Sequence, residues 1–189
     1  MPENKVVFGL KNCHYSVITE DEAGVHTYAT PVALKGAVDI TLTPKGDTTD
    51  FYADDILYYT TVTNAGYEAT LTVANISKEF RTEVLGEILE TTDNILTENT
   101  AANPKKIAFM FEFDGDVKAV RHLLYNCTVT RPSLTSATKT ETSEPQPQEL
   151  TMVAAPRPAD GIVKRSTTSD TPAPIYDGWY STVYAPTVV

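Results

Sequence analysis

The side chains that could do chemistry fall into two sets, four aspartates crowded into one stretch and a scatter of histidines and cysteines. Asp47, Asp50, Asp54 and Asp55 lie within PKGDTTDFYADDILYYTT, residues 44–61, and hard carboxylate oxygens are what a calcium ion takes. Their spacing lacks the central glycine and terminal glutamate of an EF-hand loop. The same stretch also interleaves Phe51, Tyr52, Ile56, Tyr58 and Tyr59 with the acids, so it either holds a cation or lies against another protein surface. His14, His26 and His122, with Cys13 and Cys127, are donors that zinc accepts, yet apart from the adjacent Cys13 and His14 no pair has the short gaps of zinc ligands. Strand histidines and two buried free thiols are the expectation. No P-loop, nucleophile elbow, dinucleotide fingerprint or zinc-protease motif occurs, so no catalytic residue, metal or cofactor is expected.

The acidic stretch reads as a long loop, residues 44–61, between two strands. Before it Val38, Ile40 and Leu42 alternate with Asp39, Thr41 and Thr43; after it Tyr67, Ala69, Leu71 and Val73 alternate with Glu68, Thr70 and Thr72. In ANISKEFRTEVLGEILE the period lengthens. Phe80, Val84, Leu85, Ile88 and Leu89 predict one flanking helix over about residues 76–90, capped by Asn75 or Ser77 and weakened by Gly86. Ile107, Phe109, Phe111 and Phe113 line one face of a strand, Asp114-Gly115 suits a tight turn, and the return strand places Leu123, Tyr125, Cys127 and Val129 on one face. KTETSEPQPQE is the tip of a further hairpin, between SLTSATKT and LTMVAA.

At 189 residues, with 12 prolines and many threonines, the chain is expected to be mainly β with one core. Residues 1–12 form a first strand or a docking arm, 13–156 the β domain, and 157–189 a C-terminal arm. Ile175, Tyr176, Trp179, Tyr180 and Tyr184 are large apolar groups without an element of their own, expected to order against a surface such as a different subunit. A net charge of −10 argues against a nucleic-acid grip. Without a signal-peptide pattern or a run of about 18 apolar residues, a soluble protein made in a cytosol is expected, with no membrane partner.

FGLKNCHYSV, LKGAVDITLTPKGDTTDFYADD, ISKEFRTEVLGE, FMFEFDGDVKAVRHLLYNCTVTRPS and KTETSEPQPQELTMVAAPRPADGIVK span most of residues 8–165. In combination they resemble the major tail protein of long-tailed, non-contractile bacteriophages. The resemblance implies a β-sandwich or partly closed barrel of antiparallel strands with one helix on its flank, assembled into hexameric rings stacked as a tail tube in the virion. It implies partners too: the chain itself, a tape-measure protein, a tail terminator and baseplate or tail-tip proteins, with DNA passing through unbound. The acidic balance fits such a lumen, because sliding phosphate meets like charge. Asp39, Glu68 and Glu112, on the wet faces of strands, are lumen candidates. Asp47, Asp50, Phe51, Tyr52, Asp54, Asp55, Ile56 and Tyr58 are candidates for a loop reaching the neighbouring ring. The competing reading is an immunoglobulin-like module that binds a host-surface receptor or glycan. The proline-rich stretch after Arg165 is longer than such a core needs.

Overall fold

A computed structural model of the chain describes residues 3–22, 24–138 and 145–186. Thirteen strands and two short helices follow in order: β1 Val7–Glu20, β2 His26–Tyr28, β3 Val32–Ala33, β4 Ala37–Lys45, β5 Thr48–Ala53, β6 Ile56–Val62, β7 Gly66–Val73, α1 Lys78–Glu83, β8 Ile88–Glu90, β9 Ile95–Thr97, β10 Lys106–Gly115, β11 Val120–Val129, β12 Gln148–Ala154, β13 Lys164–Ser166 and α2 Ala173–Asp177. Of the described residues 48% are strand and 6% helix, so the mainly β class stands.

One antiparallel sheet runs β2-β1-β10-β11-β12-β7-β4, with β3 added to β1 and β13 to β11. Residues 32–37 step from one end of it to the other, pairing Ala33 with His14 and then Ala37 with Val73. That step is pinned by Leu34 N–H donating to Cys13 O at 2.8 Å and Ala74 N–H to Gly36 O at 2.7 Å. The sheet therefore curls, although among the described residues no ladder joins β1 to β4 and the barrel is not closed.

Alternation decides what the concave face holds. Ile107, Phe109 and Phe111 of β10, Leu71 and Val73 of β7 and Leu150 and Met152 of β12 form its core with Tyr15, and Phe113 packs against it partly buried. α1 plugs the core with Phe80, whose ring meets Tyr15 edge to face at 5.0 Å. Ser77 is the cap, its Oγ accepting from Phe80 N–H at 3.2 Å.

Four local expectations need correction. The helix ends at Glu83, well short of residue 90, because Gly86 turns the backbone to φ 78° and Ile88–Glu90 leaves as a strand. The residues 44–61 are no loop, since β5 and β6 occupy most of them. Residues 131–138 carry no strand, so β12 pairs instead with the end of β11, Val129 opposite Met152; residues 139–144 of the expected tip lie outside the described residues. The turn after Phe113 is wider than Asp114-Gly115, since Phe113 pairs with Val120. Its loop is held by Asn4, whose Oδ1 accepts from Val117 N–H at 3.0 Å and Lys118 N–H at 2.9 Å.

A bulge in β11 also splits one expected face. Ile107 pairs with Cys127 but Phe109 with Leu124, so one extra β11 residue intervenes. Leu124, Cys127 and Val129 point into the concave core, while Leu123 and Tyr125 point out the other side.

Candidate interaction surface

The convex face of the sheet is treated in two ways. Over β1, β10 and β11 it is covered by residues 162–184 of the same chain: Trp179, 3% exposed, packs on Ala108, Met110, Leu123 and Tyr125, with Ile175, Tyr180 and Tyr184 around it. The surface that orders the C-terminal aromatics is thus the chain's own sheet. Tyr176 fixes the segment to the β10–β11 end, its hydroxyl donating to Ala119 O at 3.0 Å and its ring lying 3.7 Å beneath the Arg121 guanidinium. Tyr180 stacks on His14 at 4.6 Å, and Trp179 on Tyr184 at 5.7 Å.

That cover removes one lumen candidate. Glu112 alternates onto the polar side of β10, as its parity requires, but it is only 5% exposed. One carboxylate oxygen accepts from Arg121 Nε at 2.8 Å and the other from Asn12 Nδ2 at 3.2 Å, with the Tyr180 hydroxyl above at 3.5 Å. A carboxylate enclosed in this way bridges β1, β10 and β11 and is shut off from solvent.

Over β4, β7 and β12 none of the described residues covers the convex face. The registers Asp39↔Thr72, Thr41↔Thr70 and Thr43↔Glu68, continued by Glu149↔Thr72, Thr151↔Thr70 and Val153↔Glu68, lay out a plane of hydroxyls and carboxylates interrupted by Val153. Its one lysine, Lys45, stands 3.8 Å from Glu68. Asp39 and Glu68 are both exposed there.

From the end of this plane projects the hairpin β5–β6. Ala53 pairs with Ile56, leaving a two-residue turn, and Asp54 and Asp55 both take positive φ, 54° and 60°, as a type I′ turn requires. The short acidic side chain tolerates that region, which is why aspartates stand at the tip. The ribbon continues β4 and β7: Ala65 N–H donates to Lys45 O at 2.8 Å and Thr63 N–H to Asp47 O at 3.0 Å. A side chain at Gly46 would put its Cβ 2.0 Å from Thr63 O, so only glycine lets the two chains pass this close.

The hairpin pairs with no other strand of the described residues. Successive strand residues face opposite ways, so Phe51 and Tyr52 place an aromatic on each face. They are 59% and 63% exposed, Ile56 62% and Tyr58 70%. Asp50 accepts from Thr60 Oγ1 across the strands at 2.8 Å. All eight loop candidates are thereby brought onto one ribbon. Sequence reasoning missed its partners Leu57 and Val62, also exposed, in a strand whose register slips by one residue between Leu57 and Tyr59.

The donor set considered for zinc is dispersed and, in part, in the wrong charge state. Burial pushes the thiols of Cys13 and Cys127 up to about 12, so both are protonated near neutral pH. Burial lowers His26, and it lowers His122 to about 4 with the charge of Lys164 assisting. Among the described residues no three His, Cys, Asp or Glu come within reach of a common metal ion.

No protein-family model matches the chain, and no curated protein matches it at a significant level.

Proposed function

We propose that the chain is the structural subunit of a phage tail tube, self-assembling into stacked hexameric rings that form a conduit for DNA ejection. The observation that carries this reading is the β5–β6 hairpin. It is a two-stranded ribbon with large exposed apolar groups on both faces and no other described strand paired with it, whereas an isolated hairpin in water is marginal at best. A ribbon of this kind suits a protein whose neighbour supplies the missing cover. The hydroxyl and carboxylate plane of β4, β7 and β12 supports the same reading, with Asp39 and Glu68 remaining as lumen-facing groups that repel phosphate. In this reading the work is assembly and not catalysis. The partners are copies of the chain, then a tape-measure protein, a terminator and tail-tip proteins, all within the virion and away from any membrane.

The competing reading, an immunoglobulin-like module for a host-surface glycan, draws on the same exposed tyrosines, since flat aromatic rings also stack on sugars. Electron microscopy of the concentrated protein separates the two. Rings or tubes are expected. A strictly monomeric species that captures glycans from an array, even with tape-measure and initiator proteins present, would replace the tube reading with the glycan one.

A further inference from the structure

Where the C-terminal segment crosses β13 there is a cleft of about 280 Å3 lined by Arg165, Thr167, Thr171, Ile175, Trp179 and Tyr184 among others. Two buried N–H groups of its lining side chains, Nε of Arg165 and Nε1 of Trp179, have no acceptor among the described residues. Both groups can only donate, and buried donors are seldom left without a partner. The other polar side chains lining the cleft are hydroxyls, and no carboxylate is among them. The complement of one guanidinium, one indole N–H and a rim of hydroxyls is an oxygen-rich anion small enough for the space. Both donors lie just under the lining. Arg165 is half-buried, with its guanidinium 5.6 Å from the Tyr184 ring and within electrostatic reach of Asp160, which lies outside the cleft lining.

The same chain carries an exposed group of that chemistry at the end of a projecting arm. Asp54 and Asp55 form the apex of the hairpin, and no lysine or arginine occurs from residue 46 to residue 77 to neutralise it. We propose that the cleft receives a carboxylate, and that this carboxylate is Asp54 or Asp55 at the hairpin tip of a second copy of the chain. The assignment rests on the self-assembly reading and names the surface on which the hairpin lands.

The test uses the full chain and its single tryptophan, Trp179, as reporter. Assembly is followed by electron microscopy and by Trp179 emission as the protein is concentrated. Asp54→Asn with Asp55→Asn keeps the turn, because asparagine tolerates positive φ as well as aspartate does. It should raise the concentration needed for assembly about tenfold, the worth of one charge-assisted hydrogen bond. Arg165→Gln should do the same, and the combined variant should be no worse than either alone, because both remove one contact. Arg165→Lys keeps a cation and N–H donors but loses the fixed position of Nε, so an effect equal to that of Arg165→Gln assigns the loss to the guanidinium's geometry and not to charge, whereas wild-type assembly by Arg165→Lys overturns the role of Nε.

Tubes that form equally well from the tip and cleft variants overturn the cleft while leaving the tube reading intact. A combined loss of about a hundredfold, which makes the two sites independent, also overturns it. If sodium succinate shifts Trp179 emission while the tip variant assembles normally, a free carboxylate is the occupant and the second copy is not. A wild-type chain that stays monomeric at every concentration, even with tape-measure and initiator proteins present, overturns both readings.

Discussion

The hairpin at residues 48–62 and the C-terminal segment at 162–184 are both rich in large aromatic side chains, yet they dispose of them in opposite ways. The segment returns to its own sheet and buries Trp179 against Met110, Leu123 and Tyr125, while the hairpin holds Phe51, Tyr52, Tyr58 and Tyr59 out in solvent. The difference lies in anchorage. The segment has a strand, β13, paired to β11 and an arginine, Arg121, stacked on Tyr176 to steer it. The hairpin grows straight out of β4 and β7, which aim it away from the body. Surplus aromatics in a sequence therefore announce that something will be covered, and the elements flanking them decide whether that cover is internal.

This contrast breaks most readily at Trp179. Trp179→Ala should cost about 3–5 kcal/mol in denaturant unfolding, the range for emptying a buried aromatic site; a change below 1 kcal/mol would mean the segment is only loosely laid on the sheet. Glu112→Ala leaves Arg121 enclosed without its partner and should cost about 3 kcal/mol by the same measurement.

Acid should loosen the body next. The folded-state pKa of His122, lowered from 6.5 to about 4 by burial and then by Lys164, means that the unfolded chain takes up the proton first as pH falls. The stability tied to this group is fully present above pH 6.5, drains away between 6.5 and about 4, and is constant below. His26, lowered chiefly by burial, acts in the same direction. Melting temperatures at pH 7, 6, 5 and 4 should trace this loss, and His122→Gln should flatten it; an unchanged slope in that variant would assign the loss elsewhere. The smallest effect on folding belongs to the hairpin. Phe51→Ala and Tyr52→Ala should shift the monomer's unfolding by less than about 0.5 kcal/mol while impairing tube formation seen by microscopy.

Much of the sheet was legible because strands with one dry face write their burial into alternate residues, as β4 and β7 do. What the pattern could not convey was cover from afar. Glu112 has the parity of an exposed acid, and only a distant, aperiodic segment ending in Tyr180 encloses it. Helical spacing continued through Ile88 and Leu89, but Gly86 takes a conformation that ends a helix, and local backbone chemistry overrode the periodicity. In β11 one bulged residue reversed the facing of Leu123 and Tyr125, a shift that leaves no mark in composition. The hairpin was hidden by its acids: Asp54 and Asp55 read as loop or ligand residues until their positive φ makes them a turn.

The continuity of β5 with β4 and of β6 with β7 also has a mechanical meaning. Tension applied at the Asp54–Asp55 apex passes along two strands already laddered into the body, and no slack linker lies in between to absorb it. On one side the load meets the antiparallel ladder between β7 and β12 lengthwise, where the hydrogen bonds share it in shear and do not open one after another. A partner gripping the apex would thus be coupled directly to the β7–β4 end of the sheet, and a pull or twist there would pass into β12.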